Sequence, residues 1–341
     1  MESQVDRNLS ISNFKWPTAF LWALSAWVLA NLAVGLMVKN HVIALSHLNA
    51  NLQQMETAKR ESGYFMILGN STASRVNLDI LTREAPAFEG KKGLSLAVRG
   101  GLPRTHLFFL ERSKYRCVER GGVAMFFITP MDLNRNNQAF RWTIRDLFSW
   151  NDFFKELLFQ GRFLEASYFL QHASMPLVKY HGALINFLTR FVQTDTPEGE
   201  DHGAMDRNRV DAQKIKGAIV DYRERYVVDY QIDPYQIDSA SRILSELKKR
   251  NVRSLIVLPP DSRDLRPLVK PSDFNAYIQT AHSLAKAQGA GFLDYVSSDD
   301  GTKYDFYDGG HLTDYSTDAF SRRLAADLGP VLLAVKKKEL D

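Results

Sequence analysis

The sequence predicts a three-layer α/β protein, with a parallel sheet of about five strands between helices, preceded by one transmembrane helix. Two observations predict this architecture. Five short apolar runs alternate along the chain with stretches of helical periodicity, which is typical of parallel strands buried on both faces. In addition, one uncharged apolar stretch near the N-terminus is long enough to cross a lipid bilayer.

The uncharged stretch consists of the 23 residues between Lys15 and Lys39, WPTAFLWALSAWVLANLAVGLMV. As a helix it is roughly 34 Å long, which exceeds a hydrocarbon layer of about 30 Å. Trp16 lies at its edge, where indole rings favour the membrane interface. A cleaved signal peptide has a shorter apolar region, although small residues near Ala44 and Ser46 leave cleavage as an alternative. A buried core helix is less favoured, because such helices rarely reach this length without a polar face.

The charges that flank this stretch predict its orientation. Arg7, Lys15 and the N-terminal amine precede it, whereas only Lys39 follows within about 15 residues. The positive-inside rule then places the N-terminus in the cytoplasm and residues 39–341 outside it. We divide the chain into a cytoplasmic tail (1–15), a transmembrane anchor (16–38), a helical stalk (39–62) and a domain (63–335) with an insertion (131–250).

The predicted strands are short runs of apolar residues that end in turn residues. Most are followed by a helical pattern, as in residues 70–81 and 103–120. Alternation of this kind predicts that helices connect the strands in parallel. The runs are YFMILG (64–69), LSLAVRGG (94–101), VAMFFITP (123–130), SLIVLPP (254–260) and GFLDYV (291–296).

The connection between the third and fourth runs, residues 131–250, is unusually long. It includes a polar stretch, 193–209, that predicts an exposed loop. An insertion of this kind often builds a substrate-binding or partner-binding surface. Its first part carries aromatic residues at helical spacing, which is typical of a buried core, although stacking on sugar rings is an alternative. These residues are Phe140, Trp142, Phe148, Trp150, Phe153 and Phe154.

Composition excludes several classes of protein. The 43 basic and 39 acidic residues give a net charge of +4, and no basic run is long enough to predict a nucleic-acid partner. Cys117 is the single cysteine, so neither an intramolecular disulfide nor a cysteine-rich metal site is expected. No phosphate-binding loop of the G-x-x-x-x-G-K-[ST] type is present. We therefore expect no cofactor and no metal.

Two turns carry residue types that suit nucleophilic catalysis. Leu68-Gly69-Asn70-Ser71 follows the first predicted strand, and a serine on such a turn projects its hydroxyl above the sheet. The alternative is that Ser71 or Thr72 only caps a helix. A serine hydroxyl needs a nearby base, usually a histidine that a carboxylate orients.

The second turn, Asp308-Gly309-Gly310-His311-Leu312, lies after the fifth run and before the last helical stretch. An aspartate three residues before a histidine on a glycine-containing turn can curl back and hold the imidazole ring. The alternative is a glycine-rich turn whose polar residues have no role in catalysis.

Together, the Gly-Asn-Ser and Asp-Gly-Gly-His turns resemble the SGNH (GDSL-like) hydrolase superfamily, over about residues 63–330. In that superfamily a Gly-Asp-Ser-like block near the start supplies the nucleophile, and an Asp-x-x-His block near the end supplies its partners. The resemblance implies a flavodoxin-like sheet. It also implies that Ser71 is the nucleophile, His311 the base and Asp308 the carboxylate that orients the base.

The resemblance further implies two donors to an oxyanion hole. A glycine after the second strand is one, and of Gly100 and Gly101 we choose Gly101. The superfamily's other donor is the asparagine of a Gly-x-Asn-Asp block, but this chain reads ITPMDLN (128–134) there, with Asn134 as the substitute. Loss of one such donor costs about 10²–10³ in rate, so the departure argues against an efficient ordinary esterase.

The overall plan resembles the membrane-anchored branch of DltD, AlgJ and AlgX-like proteins. It implies serine-dependent transfer of an acyl group, commonly acetyl, to or from a cell-envelope polysaccharide. The domain would lie outside the cytoplasmic (inner) membrane, beside a membrane-bound O-acyltransferase as partner. Two alternatives stay open: a carbohydrate or lipid esterase, and a non-catalytic assembly factor for an acyltransferase or polysaccharide synthase.

Overall fold

A computed structural model describes residues 18–39, 64–112, 121–173, 175–180, 184–185, 210–299 and 301–338. The predicted tail (1–15), the stalk (39–62) apart from Lys39, and the polar stretch 193–209 lie outside these residues. The strands are β1 (Tyr64–Gly69), β2 (Lys92–Ala97), β3 (Val123–Phe127), β4 (Arg253–Leu258) and β5 (Gly291–Asp294). They form one parallel sheet in the order β2-β1-β3-β4-β5, which confirms the predicted fold class.

The helices connect and cover these strands. Three of them continue into π-helical turns, at Phe153–Leu158, Phe169–Ala173 and Tyr222–Tyr226. The helices are α1 (Thr18–Lys39), α2 (Leu78–Glu84), α3 (Pro103–Arg112), α4 (Phe140–Leu147), α5 (Trp150–Asp152), α6 (Phe163–Tyr168), α7 (Pro176–Lys179), α8 (Ala212–Asp221), α9 (Pro234–Lys249), α10 (Pro271–Gln288) and α11 (Asp314–Lys338). Short 3₁₀ turns occur at Ala73–Arg75, Pro86–Phe88, Pro130–Leu133 and Arg266–Leu268.

Two cores lie on opposite faces of the sheet, because successive side chains of a strand alternate between its faces. In β1, Met66 and Leu68 join a core with α3, α9 and α10, whereas Phe65 and Ile67 join a core with α2 and α11. These four side chains are at most 3% exposed. Burial on both faces explains why the strands read as continuous apolar runs in the sequence.

The helix predicted over residues 70–81 is interrupted. A 3₁₀ turn, Ala73–Arg75, is followed by extended backbone at Asn77, and α2 begins after it. The Asn77 side chain accepts hydrogen bonds from the N–H groups of Asp79 and Ile80. Asparagine is a favoured helix N-cap because it satisfies such donors, and the helix therefore starts here.

The N-terminal helix α1 is the one described helix long and apolar enough to cross a membrane, over Phe20–Met37. Most of its side chains are exposed, with Trp22 at 73%. Near its C-terminal end it contacts the short helix α7, where a Cβ on Gly35 would lie 3.5 Å from Pro176. This contact places the end of α1 against the insertion.

Candidate active site

A sharp turn after β1 carries the predicted nucleophile. Gly69 has a φ of +147°, and a Cβ there would lie 2.8 Å from Ala73 and 2.9 Å from Phe127. Only glycine fits such a crowded position. The chain therefore turns immediately after β1. Ser71 lies at the carboxyl end of the sheet, where ligands bind in open parallel sheets.

The buried Asn70 side chain holds this turn in place by hydrogen bonds. Its oxygen accepts the Thr72 N–H at 2.8 Å, and its nitrogen donates to Thr129 Oγ1 at 2.9 Å and to the Asp132 carboxyl at 2.9 and 3.1 Å. Asp132 also accepts the N–H and the hydroxyl of Thr129. The turn after β1 is thus held by the turn after its neighbour β3.

Burial dominates the charge state of Asp132. It raises the pKa of Asp132 to about 7, against the opposing effect of its hydrogen bonds from Thr129 and Asn70. Tyr230 and Tyr277 are close enough to interact with its charge. A carboxyl group of this kind carries a proton at a pH where exposed aspartates are fully ionised.

The second turn brings an imidazole to the serine. Asp308 accepts the backbone N–H groups of Gly310 and His311, at 3.1 and 2.8 Å, so its side chain curls back over the turn. Its other carboxyl oxygen lies 2.8 Å from His311 Nδ1. Nε2 of His311 lies 2.8 Å from Ser71 Oγ. The structure therefore joins Ser71, His311 and Asp308 in one hydrogen-bonded chain.

This arrangement sets the charges and the tautomer. Burial acts to raise the pKa of Asp308, but the hydrogen bond and charge interaction with His311 and two backbone donors outweigh it and lower that pKa. An ionised Asp308 accepts the Nδ1 proton of His311. Nε2 is then free to accept the proton of the Ser71 hydroxyl, which is the protonation state a general base requires.

The glycine chosen for the oxyanion hole is not the one that lines the site. The Gly101 N–H donates to Val98 O at 2.7 Å, so this donor is already engaged. Gly100, the alternative, lines the cleft beside Ser71. Its φ is +63°, and a Cβ there would lie 2.6 Å from the Trp142 ring. Among the described residues, the N–H groups of Gly100 and Ser71 have no acceptor.

The structure does not bring Asn134 to the site. It is 1% exposed, and its side-chain nitrogen donates to the carbonyls of Tyr226 and Val228. Its side-chain oxygen accepts the N–H groups of Asn136 and Gln231. All of its hydrogen-bonding capacity thus joins two parts of the insertion, and none is left for an oxyanion.

The serine and histidine line a cleft of about 190 Å³. Part of its wall is the roof segment, which we define as residues 212–226, that is α8 and the π-helical turn after it. The roof segment packs on the turn Asp308–Leu312, which we call the histidine turn. The N–H of Asp211, just before the roof segment, donates to the O of Tyr307, just before this turn, at 3.0 Å, and a Cβ on Gly309 would lie 3.6 Å from Ile215. Side chains of the roof that line the cleft are Ala218, Asp221, Tyr222 and Tyr226.

Other polar groups of the cleft come from the loops after β2 and β4; of these, the turn Pro259-Pro260-Asp261-Ser262 could be expected from the sequence either to border a cleft or to be only a rigid turn. Arg99 lies beside Gly100 after β2, and Asp261 follows β4. Burial raises the pKa of Asp261 to about 6, against the opposing effects of Arg266 and the Ser262 N–H. In the sequence, the signal that could place Arg99 and Asp261 at the cleft is their position just after predicted strands. Within the described ranges no group of three His, Cys, Asp or Glu side chains could hold a metal ion.

The five-stranded parallel sheet between helices matches the α/β fold that the SGNH (GDSL-like) resemblance implies. By sequence, the chain belongs to the family described as "Protein of unknown function (DUF1574)", whose model matches residues 149–326. Among curated proteins, none matches the sequence.

Two of the solved structures that are similar to this chain are TesA and a GDSL-like lipase. TesA is 10% identical, with a TM-score of 0.39, over 79% of this chain and 99% of its own. A GDSL-like lipase from Bacteroides thetaiotaomicron is 10% identical, with a TM-score of 0.36, over 82% of this chain and 98% of its own.

Proposed function

We propose that this protein is a membrane-anchored serine esterase or O-acyltransferase that moves a short acyl group, such as acetyl, to or from a cell-envelope polysaccharide. The observation that carries the proposal is the hydrogen-bonded chain from Ser71 through His311 to Asp308, with both links at 2.8 Å. That geometry activates a hydroxyl that is otherwise a poor nucleophile at neutral pH.

In the first half-reaction, His311 Nε2 takes the proton of Ser71 as Oγ attacks the acyl carbonyl. The tetrahedral intermediate collapses, and the departing alcohol takes the proton from the imidazolium. An acyl ester stays on Ser71. Asp308 holds the ring and stabilises its positive charge. The N–H groups of Ser71 and Gly100 would receive the oxyanion, because neither has another acceptor in the described part of the chain.

In the second half-reaction, an acceptor hydroxyl gives its proton to His311 and attacks the acyl ester. As the bond from Ser71 Oγ to the acyl carbon breaks, Oγ takes that proton from the imidazolium, which regenerates Ser71 and neutral His311. Water as acceptor gives hydrolysis, and a sugar hydroxyl gives transfer. The cleft supports a small acyl group, because its volume of about 190 Å³ is below the roughly 300–1,000 Å³ of pockets for drug-sized ligands. Tyr222, Tyr226 and Asp221 support a sugar acceptor, since rings and carboxylates bind its faces and hydroxyls.

The proposed location follows from α1. Its length and apolar surface support a single membrane crossing, and the basic residues before it support a cytoplasmic N-terminus. The site would then face the envelope, where polysaccharide esters are made and removed. A membrane-bound O-acyltransferase, as in the DltD-like branch, is the partner that would supply acyl groups from the cytoplasmic side.

The test uses the full chain in detergent, treated with a fluorophosphonate probe and mapped by mass spectrometry. We expect labelling at Ser71, and its loss in His311→Ala. Ser74→Ala is the matched control, because this serine lies on the same turn but its hydroxyl donates to Ser71 O. Labelled Ser71 in the control, together with acetyl release from an acetylated oligosaccharide, would support the proposal. An unlabelled but folded protein would refute it.

A further inference from the structure

The described residues 150–173 and 175–179 present large apolar side chains to the surroundings; we call them the aromatic segment. Phe159 is 79% exposed, Phe163 68% and Leu164 86%. Trp150 and Phe154 are about half exposed, at 50% and 45%. Single exposed apolar residues are ordinary on protein surfaces, but a group within one short segment indicates contact with a membrane or another protein.

The same segment contacts the helix that can cross a membrane. Its last helix, α7, packs against α1 at the level of Gly35, with Pro176 3.5 Å from a Cβ placed there. Two neighbouring residues of α1, Asn31 and Val34, are 9% and 4% exposed, in a helix whose other apolar side chains are mostly open. The contact therefore lies between residues 31 and 35 of α1.

This level lies inside the apolar length of α1. The stretch that could span a bilayer runs from Phe20 to Met37. Gly35 and Asn31 precede its end by two and six residues, which at about 1.5 Å per residue is roughly 3–9 Å below the boundary. Interfacial helices bury their apolar faces by a similar depth of about 5–10 Å. A bilayer around α1 would thus also reach α7.

From these observations we infer that the aromatic segment is a second membrane contact, which lies in the leaflet at the C-terminal end of α1. Its occupant is lipid: continuity with α1 supports this, and so do the exposed tryptophan and phenylalanine rings, which favour the interfacial layer. The inference rests on α1 crossing the membrane, as in the proposed function, but not on any chemistry at Ser71.

The buried side of the segment is tied to the body by ion pairs, which leaves the rings outward. Arg104, 1% exposed, pairs with Glu156 at 2.6 Å, and Tyr235 donates a hydrogen bond to the same carboxylate. Arg162 pairs with Glu165 and with the buried Asp233. The body and the lipid contact would therefore keep a fixed orientation relative to each other.

Spin-label accessibility tests this in the full chain, reconstituted in phosphatidylcholine–phosphatidylglycerol vesicles on a Cys117→Ser background. Single cysteines replace Leu164 in the aromatic segment and Leu333 on α11, an equally apolar and 68% exposed site. A cysteine at Val28 reports on α1. The measurement is the ratio of collision with oxygen, which partitions into lipid, to collision with a water-soluble nickel chelate.

We expect a ratio at Leu164→Cys several-fold above that at Leu333→Cys and close to that at Val28→Cys. Equal, water-like ratios at 164 and 333, with a lipid-like ratio at 28, would overturn the inference and point to a protein partner for this surface. A water-like ratio at 28 would overturn it as well, together with the anchor. Fluorophosphonate labelling of the same samples reports separately on the proposed chemistry, and unchanged unfolding midpoints show that the variants fold.

Discussion

The aromatic segment and the roof segment belong to the same insertion, yet they direct their side chains differently. In the aromatic segment, Phe159 and Leu164 face outward, whereas in the roof segment Tyr222 and Asp221 line the cleft. The difference follows from what each segment packs against. The roof packs on the histidine turn, beside the hydrogen bond that Asp211 donates to Tyr307, and the aromatic segment is bonded to the core through buried ion pairs. The helical spacing of aromatic residues in the sequence does not distinguish a segment that faces outward from one that lines the cleft.

If the two segments differ in role, ester turnover should depend on Ser71 in the cleft and not on the aromatic segment. We expect Ser71→Ala to lower ester turnover by about 10³-fold or more, because it removes the hydroxyl that lies 2.8 Å from His311 Nε2. Ser167→Ala, which alters a serine of the aromatic segment, should leave turnover within about twofold. Initial rates on p-nitrophenyl acetate with purified full-length protein measure both. Comparable rates for Ser71→Ala and the parent would contradict the proposed mechanism.

The attachment of the aromatic segment to the core can be broken separately. Arg104→Met leaves Glu156 without its ion-pair partner, and we expect a loss of about 3 kcal/mol in the free energy of unfolding. The exposed pair of Arg242 and Glu111, 2.5 Å apart, is the control. Its disruption by Arg242→Met should cost under about 1 kcal/mol. Denaturant unfolding in detergent measures the two costs, and equal values would argue against a structural role for the buried pair.

Asp132, which holds the serine turn through Asn70, should make the free energy of unfolding depend on pH. Since the pKa of Asp132 is raised to about 7, the folded protein keeps a proton between pH 4 and 7 that the unfolded chain has released. Stability should therefore fall as pH rises through this range. Between pH 5 and 8 we expect the parent to lose about 2 kcal/mol relative to Asp132→Asn. Asp238→Asn, at an exposed helical site, should keep the parent's dependence. Parallel profiles for Asp132→Asn and the parent would contradict a shifted pKa.

The smallest expected effect concerns the roof and the acceptor. If Asp221 binds an acceptor hydroxyl, Asp221→Asn should raise the KM for an oligosaccharide acceptor about fivefold, which corresponds to about 1 kcal/mol for one hydrogen bond. The kcat should change little. Steady-state transfer assays with varied acceptor separate the two parameters. A fall in kcat without a change in KM would assign the roof a role other than acceptor binding.

Much of the fold could be predicted because its signals are local. Strands buried on both faces read as apolar runs, and β1 and β4 end within two residues of the predicted positions. Ser71, Asp308 and His311 could be selected because each lies on a turn at a strand end or before a helix. Their meeting depends on the parallel topology, which the alternating pattern also predicts.

The remaining parts of the site depend on information that the sequence does not display. Gly100 and Gly101 are adjacent and identical in type, and they differ in backbone conformation and in whether the N–H is already bonded. Asn134 has a suitable side chain, but that side chain is bonded to Tyr226, Val228 and Gln231, each more than 90 positions away. The roof segment likewise reaches the cleft from a part of the chain that is distant in sequence from Ser71 and His311. Long-range packing decides all three.

The hydrogen bonds of Asn70 connect the turn after β1, where the resemblance to a Gly-Asp-Ser-like block lies, to Asp132 after β3. The resembled block has an aspartate at this position, and here a carboxylate would face the carboxyl group of Asp132, which now accepts the Asn70 amide. Two buried carboxylates at that distance would repel unless they shared a proton. Asn70 and Asp132 thus form a compensated pair. Among relatives of this chain, positions 70 and 132 should covary, so that an acid at one accompanies a neutral residue at the other.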